Sequence, residues 1–569
     1  MRTILATLHS KYIHASLALP SLAAYCGPEC GELLIREFTV HEPRDTILAA
    51  LLQEEPAVAA FSVYLWNRRE TLELVDALAA ARPGLRLVVG GPEVSFDGPE
   101  LFARHPGLTA LVRGEGEAPL RALLAAWARG VDPGPVPRVT RRHGSELVAG
   151  PDAPPLAELD AIPSPFQAGL VDLGRGLVYY ESSRGCPFRC AFCLSARDAQ
   201  VRTYSLERVF ADLGWLMAQG VPQVKLVDRT FNSDPARARE IFAFILAHNR
   251  STRFHFEIAA HLLDEATLEL LEQAPAGCFQ FEIGVQTTLE GTLRRIDRPV
   301  ALERLERNVR RLQQAGRVRL HLDLVAGLPG EGYAGFLGSV DRVAALHPDH
   351  LQVELVKVLP GTPLRDRAGT LGLRFDPNPP YTVLATADLD FAALERIRSI
   401  SRLLDLTWNA GCFPTFLAGL SAAAGSLAQG LERLAADLAA QGWLRYPLSR
   451  SGLFVELGRA VERQWPAATA GRLRDTLAYD LASCERIVPE KVPPLFDTQL
   501  AEGERDWVAE EVRRRAAALR GRGVKLQHFA AAFAQLPGSG GRTVCLFCYL
   551  VRSGAGMSVE TLRRPTPAA

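Results

Sequence analysis

The chain has 569 residues, 48% of them apolar and 22% charged, with 64 Lys plus Arg against 64 Asp plus Glu. This is a globular composition, long enough for about three to four domains, and its balanced charge excludes a global field that would draw in nucleic acid or an anionic membrane. No apolar run reaches the ~20 residues of a spanning helix. Ten cysteines fall far below disulfide density, and the N-terminus lacks a signal-peptide pattern, so a cytoplasmic, reducing location is expected.

Residues 2–130 alternate strand and helix patterns. Strands are predicted at Thr3–Leu8, Leu33–Phe38, Val58–Tyr64, Leu85–Gly90 and Ala110–Arg113, with helices near 16–26, 43–54, 68–82, 97–104 and 117–129. Five such units predict an α/β domain over 1–135, a doubly wound, Rossmann-like parallel sheet of flavodoxin type, binding ligands at the carboxyl ends of its strands. Three turns lie at those ends: Ser62-Val-Tyr-Leu-Trp-Asn67, Val89-Gly-Gly-Pro-Glu93 and Arg113-Gly-Glu-Gly-Glu117. Glycines there let backbone approach a large ligand closely. Candidate binding residues are Ser62, Tyr64, Trp66, Asn67, Gly90, Gly91, Glu93, Gly114, Glu115 and Gly116.

Residues 131–175 are rich in Pro and Gly, and 136–175 reads as a linker. The alternation then resumes over 176–375, with strands at Val178–Ser182, Gln223–Val227, Phe254–Ala259, Phe279–Val285, Arg319–Val325 and Leu351–Val356. Acidic and amide residues fall at the ends of these strands: Asp228, Glu257, Glu282, Gln286 and Asp323. Residues 376–569 are rich in Ala, Leu and Arg, with helical periodicity over 390–406, 421–441, 451–464, 468–484 and 505–520. They predict a helical C-terminal domain over the barrel mouth. Within it, Cys545 and Cys548 read as two semi-buried thiols near a frayed terminus.

The run Glu181-Ser-Ser-Arg-Gly-Cys-Pro-Phe-Arg-Cys-Ala-Phe-Cys193 places Cys186, Cys190 and Cys193 at Cys-x3-Cys-x2-Cys spacing. Soft thiolates gathered in one loop favour an iron–sulfur cluster or zinc, and three ligands leave one position open. The plainer alternatives are a structural zinc with a distant fourth ligand, or buried apolar cysteines.

This spacing resembles the radical S-adenosylmethionine (SAM) superfamily, whose loop holds a 4Fe–4S cluster with one iron open to SAM. The three turns, in order ahead of the loop, resemble the cobalamin-binding domain of cobalamin-dependent radical SAM enzymes. Further runs resemble the same group: Ser10-Lys-Tyr-Ile-His14, Gly90-Gly-Pro-Glu-Val-Ser95, Val224-Lys-Leu-Val-Asp-Arg-Thr-Phe-Asn232, Gln280-Phe-Glu-Ile-Gly-Val-Gln286 and His321-Leu-Asp-Leu-Val-Ala-Gly-Leu-Pro329. The chain is therefore similar to the cobalamin-dependent radical SAM methyltransferase family, and most resembles its tryptophan 2-C-methyltransferase type.

The resemblance implies cobalamin on the first domain and a partial (β/α)6 TIM-type barrel over 176–375. It implies a 4Fe–4S cluster on Cys186, Cys190 and Cys193, and SAM bound with help from Asp228 and Gln286. The implied reaction moves the methyl group of SAM by way of methylcobalamin to a carbon acceptor, C2 of tryptophan in thiopeptide antibiotic biosynthesis. A radical SAM C- or P-methylase or a cyclase, generating a 5′-deoxyadenosyl radical, is the alternative. The partners implied are a small-molecule substrate and an external electron donor, with no nucleic acid and no membrane. Glu282 and Asp323 are catalytic candidates by location.

Two departures stand out. The Gly-Gly-Glu run that follows the second strand in many radical SAM proteins is here Val227-Asp-Arg-Thr-Phe231, and the cobalt-ligating Asp-x-His-x-x-Gly is missing. The loop after the third strand instead offers Arg68 and Arg69. An arginine keeps its charge and has no lone pair for a metal. Arg69 is expected beneath the cobalt, against the alternative that both arginines lie on a solvated helix start.

Overall fold

A computed structural model of the chain describes residues 1–552 and 556–564. The first sheet contains β1 (Arg2–His9), β2 (Glu32–Thr39), β3 (Val58–Ser62), β4 (Arg86–Gly90), β5 (Leu108–Val112), β6 (Val139–His143) and β7 (Glu146–Ala149). Its spatial order is β2-β1-β3-β4-β5-β6-β7, and the first five strands are parallel. That is the flavodoxin-like order, which reverses direction between β1 and β3 and opens a crevice there. Every residue of β3 is buried, as a strand covered by helices on both faces requires. Separate apolar layers fill the two faces, one around Leu51, Val75 and Phe102 and the other around Leu19, Leu123 and Trp127. The predicted linker is not wholly a linker: β6 and β7 form an antiparallel hairpin that extends this sheet.

The second sheet contains β8 (Leu177–Tyr180), β9 (Gln223–Leu226), β10 (Arg253–Ile258), β11 (Phe279–Gln286), β12 (Arg319–Ala326) and β13 (His350–Leu355). Neighbours in space are neighbours in sequence, and all pair in parallel, giving the partial (β/α)6 barrel. Its outward side chains, among them Phe254, Phe256, Phe279, Phe281, Leu320 and Leu322, are buried beneath the helices. The carboxyl ends of β8 and β9 meet the first domain, where Glu181, Arg184 and Val227 join its residues around one cavity.

Among the described residues, six α-helices follow: 391–406, 414–424, 427–440, 450–464, 467–484 and 502–518. The first packs on β13 and on the helix 427–440, so this domain covers the barrel's open edge rather than its mouth. The single helix predicted over 421–441 is two helices, parted at Gly425 and restarted by Ser426, whose hydroxyl accepts from the Gln429 N–H.

The helical expectation fails beyond residue 520. There β14 (Val524–Phe533), β15 (Thr543–Arg552) and β16 (Gly556–Arg563) form an antiparallel sheet. Cys545 and Cys548 are fully buried in its central strand, not near a frayed end. An odd spacing in a strand sends them to opposite faces, so they do not form a ligand pair. Among the described residues, no helix is long and apolar enough to cross a membrane.

Candidate active site

The thiol loop springs from a two-residue antiparallel ladder, Ser183–Arg184 against Arg202–Thr203. Gly185 opens it with φ of 94°, and a Cβ there would strike the Gln200 carbonyl oxygen, so a glycine is required. The Cys186 N–H donates to the Asp198 carbonyl at 3.0 Å, and the Cys193 N–H to the Cys190 carbonyl at 3.0 Å. Between them, the Ala191 N–H donates to the Ile296 carbonyl at 2.8 Å, pinning the loop to the barrel wall.

Cys186, Cys190 and Cys193 line one cavity of about 230 Å³ together with Arg229, Glu257, Glu282, Gln286, Arg298 and Asp323. Arg298 donates from Nη1 to the Cys190 sulfur at 3.3 Å; burial raises this thiol, and the Arg298 charge and hydrogen bond work against that rise. Among the described residues, no three His, Cys, Asp or Glu side chains converge on a single ion site. A lone zinc draws its thiolates to ~2.3 Å from one point, whereas a cluster takes each thiolate on a different iron. Three soft thiols lining one cavity are a donor set that fits a cluster.

Below the thiols, the inward face of the barrel is polar. Lys225 Nζ lies 3.3 Å from Glu282 Oε2 and 4.0 Å from Glu257 Oε1. His255 Nε2 lies 3.0 Å from Glu282 Oε2, and His321 Nε2 lies 3.1 Å from Asp323 Oδ1. Burial alone would raise Glu282, but the His255 hydrogen bond and the Lys225 charge outweigh it and hold the carboxyl at about 2. For Glu257, burial dominates, the Glu282 charge adds to it, and the carboxyl rises to about 7. Burial also raises Asp323, against the pull of His321. Neighbouring carboxylates are thus pushed apart in acidity, which is the arrangement proton-transfer sites use.

Sequence reasoning did not single out Lys225, His255, His321 or Arg229. A signal was present in the alternations Phe-His-Phe-Glu (254–257) and Leu-His-Leu-Asp (320–323). Strands of a buried parallel sheet read as near-continuous apolar runs, so polar residues at every second position mark a wet inner face. Asp228 is a correction. It is buried, and it accepts from the Ser182 N–H at 3.1 Å, the Ser182 hydroxyl at 2.7 Å and the Ser183 hydroxyl at 2.5 Å. Its carboxylate is spent on the strand end that launches the thiol loop and faces neither cavity.

A second cavity, of about 300 Å³, opens at the carboxyl edge of the first sheet. Ser62, Tyr64, Gly90, Gly91, Gly114, Glu115 and Gly116 wall it, as do Glu181, Arg184 and Val227 of the barrel. Its floor is Leu5, Ala60, Val88 and Val112. Gly91 has φ of 109°, and a Cβ there would lie 2.6 Å from the Val63 carbonyl oxygen. An apolar slot between sheet and helices, rimmed by side-chain-free backbone, fits the flat base of a cobalamin nucleotide tail.

Four residues expected at this ligand are elsewhere. Asn67 is fully buried in its own turn, accepting from the Tyr64 N–H at 2.8 Å and donating to the Leu8 carbonyl at 2.9 Å. Trp66 stacks on Tyr64 with centroids 4.6 Å apart and donates to the Leu8 carbonyl at 3.1 Å, beside the slot rather than in its wall. Glu93 accepts from the Tyr381 hydroxyl at 2.5 Å, so it joins the first domain to the segment after the barrel. The Arg69 side chain is 80% exposed and pairs with Glu70. One residue along a helix turns a side chain by about 100°, and it is Arg68 that points inward, to the Glu93 carbonyl at 2.8 Å and Asp97 at 2.8 Å. Arg69 does not reach the slot.

Residues 3–124 match the B12 binding domain family, 180–343 the radical SAM superfamily, and 370–520 a protein family of unknown function. Over 386 residues the chain is 30% identical to the cobalamin-dependent radical SAM methyltransferase TokK of Streptomyces tokunonensis, covering 62% of this chain and 55% of that one. Over 367 residues it is 31% identical to the 2-(S-pantetheinyl)-carbapenam-3-carboxylate methyltransferase of Streptantibioticus cattleyicolor, covering 58% and 51%. The chain thus spans about half the length of these relatives. Among solved structures, the radical SAM enzyme OxsB with aqua-cobalamin bound shares the fold, with a TM-score of 0.59, 17% identity and coverage of 85% and 84%. So does the methyltransferase TsrM of Kitasatospora setae with tryptophan and a SAM analogue bound, with a TM-score of 0.54, 21% identity and coverage of 66% and 78%. A B12 binding domain model and a radical SAM model thus match this chain in that order, and the chain is similar over 62% of its length to a named cobalamin-dependent radical SAM methyltransferase.

Proposed function

We infer that this chain is a methyltransferase, delivering the methyl group of SAM to a carbon of a small-molecule acceptor. The observation that carries the reading is the meeting of two cavities at one domain boundary. The thiol cavity lies in the barrel mouth, and the glycine-rimmed slot of the first domain takes Glu181, Arg184 and Val227 of that same barrel into its wall. When bound, the cluster supplies an electron and an open iron for SAM, and the corrin supplies a cobalt that carries a methyl group. An external electron donor is part of the proposal.

The chain's own residues take these roles. Cys186, Cys190 and Cys193 hold the cluster as thiolates. The backbone at Gly90, Gly91, Gly114 and Gly116 holds the corrin's tail, with Ser62, Tyr64 and Glu115 beside it. Gln286, Arg229 and Glu257 face the space for SAM. Glu282, held ionised by Lys225 and His255, accepts hydrogen bonds at every working pH, while Asp323 with His321 is placed to take the proton that the acceptor loses. Two domains closing over the space exclude water and orient the reactants.

The acceptor proposed from the sequence is C2 of tryptophan, in thiopeptide biosynthesis. A second reading, methylation by a route that generates a 5′-deoxyadenosyl radical, has the support of the two relatives at 30% and 31% identity, one named a radical SAM methyltransferase and the other a carbapenam-carboxylate methyltransferase. The polar inner face of the barrel also favours it, because Lys225, His255 and Asp323 partner polar groups better than an indole ring. The test is anaerobic reconstitution with iron, sulfide and hydroxocobalamin, followed by methyl-labelled SAM, a reductant and an acceptor panel containing tryptophan and carbapenam carboxylates. Labelled 2-methyltryptophan without 5′-deoxyadenosine supports the first reading. Labelled carbapenam with matching 5′-deoxyadenosine supports the second. Failure to take up either chromophore removes both.

A further inference from the structure

We propose that Arg184 and Arg202 are positioning residues that make cobalamin binding and cluster loading mutually dependent. The proposal rests on the assignment of the two cavities to these cofactors. Both arginines sit in the short ladder at the base of the thiol loop, and both reach out of the barrel into the Gly114–Glu117 turn of the first domain. Arg184 donates from Nη2 to Glu117 Oε1 at 2.7 Å and to Glu181 Oε1 at 2.6 Å, and its Nη1 lies 3.5 Å from Glu115 Oε2. Arg202 takes Glu115 in a fork, at 3.1 Å and 2.6 Å, and also binds Asp198 inside the loop at 2.7 Å. The Arg184–Glu117 side chains are 14% and 6% exposed and the Arg202–Glu115 side chains 5% and 23%, so both pairs are largely withdrawn from water in fixed geometry.

The same groups wall the cobalamin slot. Glu115, Glu117, Glu181 and Arg184 all line it, and Arg184 is two residues from Cys186. A ligand seated against Glu115 and Glu117 orders the carboxylates that hold the arginines, and the arginines set the base from which the three thiols project. A two-residue ladder is too short to hold such a base alone, and the ion network joins the backbone bonds of Cys186 and Ala191 and the Asp228 contacts in restraining it. Filling either cavity thus orders the ion network that runs from the wall of the slot to the base of the thiol loop, and the second cofactor loses less freedom on binding. The effect must be reciprocal between the two.

The test is the hydroxocobalamin dissociation constant of the full chain, read by anaerobic absorption titration on cluster-free and cluster-loaded protein. In wild type the loaded form is expected to bind about 10-fold more tightly, within the usual range of coupling. In Glu117→Gln and Arg202→Lys the ratio is expected to fall to about 1, whatever the absolute affinity. A ratio of 1 in wild type overturns the proposal, as does a wild-type ratio preserved in Glu117→Gln. Should Arg202→Lys fail to fold by circular dichroism, Glu117→Gln decides, since glutamine keeps the side chain's shape. Two cofactors bound independently sink this coupling alone, whereas no chromophore uptake at all sinks the cofactor assignment beneath it.

Discussion

Glu331 offers a quantitative check on how the site is held. It is fully buried, and its Oε1 accepts from the Thr287 hydroxyl at 2.7 Å and the Ser339 hydroxyl at 3.2 Å. It thereby fastens the strand end at which Gln286, in a left-handed conformation with φ of 70°, enters the thiol cavity. Burial raises this carboxyl from its ordinary 4.5 to about 7. A raised acid binds its proton more tightly in the folded state, so its stabilisation is complete below pH 4.5 and is lost as pH rises through about 7. At about 1.4 kcal/mol for each tenfold change in proton affinity, the full loss is about 3 kcal/mol. Roughly 2 kcal/mol of that falls between about pH 5.5 and 8.5. Glu331→Gln keeps the shape and the acceptor oxygen but cannot ionise. Urea titrations of wild type and variant at both pH values, compared as a double difference, cancel the other titrating groups. The variant should gain roughly 2 kcal/mol on wild type between the lower and the higher pH. A difference that does not change with pH would refute a neutral, buried Glu331.

Four further outcomes follow from the geometry. Arg69→Ala should leave cobalamin affinity and absorption within about twofold of wild type, because the side chain points to solvent; a changed spectrum would return Arg69 to the cobalt. Cys190→Ala should reduce anaerobically reconstituted iron from about four per chain to near none, with cobalamin still bound; retained iron would remove the thiol loop as the cluster site. Tyr381→Phe deletes the hydroxyl donated to buried Glu93 at 2.5 Å and should cost about 1–3 kcal/mol in urea titration; unchanged stability would show that the two segments are held otherwise. Gly91→Ala forces a Cβ to 2.6 Å from the Val63 carbonyl and should weaken hydroxocobalamin uptake by at least about tenfold, the factor carried by about 1.4 kcal/mol; wild-type affinity would dissociate this turn from the slot.

Much of the architecture was legible before any coordinates. Strand and helix periodicity is a local property, and in residues 2–130 and 177–356 the alternation was strong enough to place eleven parallel strands within one or two residues of their observed bounds. Cys186, Cys190 and Cys193 were legible for the same reason, since their chemistry and their spacing both lie within one loop. Periodicity failed where strand and helix patterns coincide. The run Thr543–Arg552, buried over most of its length, carries no alternation to tell a central strand from a buried helix.

What sequence could not reveal was direction. Arg68 and Arg69 are chemically identical and adjacent, and only the phase of their helix against the sheet sends one inward and the other to water. Asn67, Glu93 and Asp228 have the right chemistry for ligands, yet each is consumed by a partner 3 to 288 residues away. Glu115 and Glu117 meet Arg184 and Arg202 across a gap of 67 to 87 residues. Composition and spacing say which groups can bind, but a buried polar group bonds to whatever the fold brings within 3 Å of it, and that is settled by packing between distant segments.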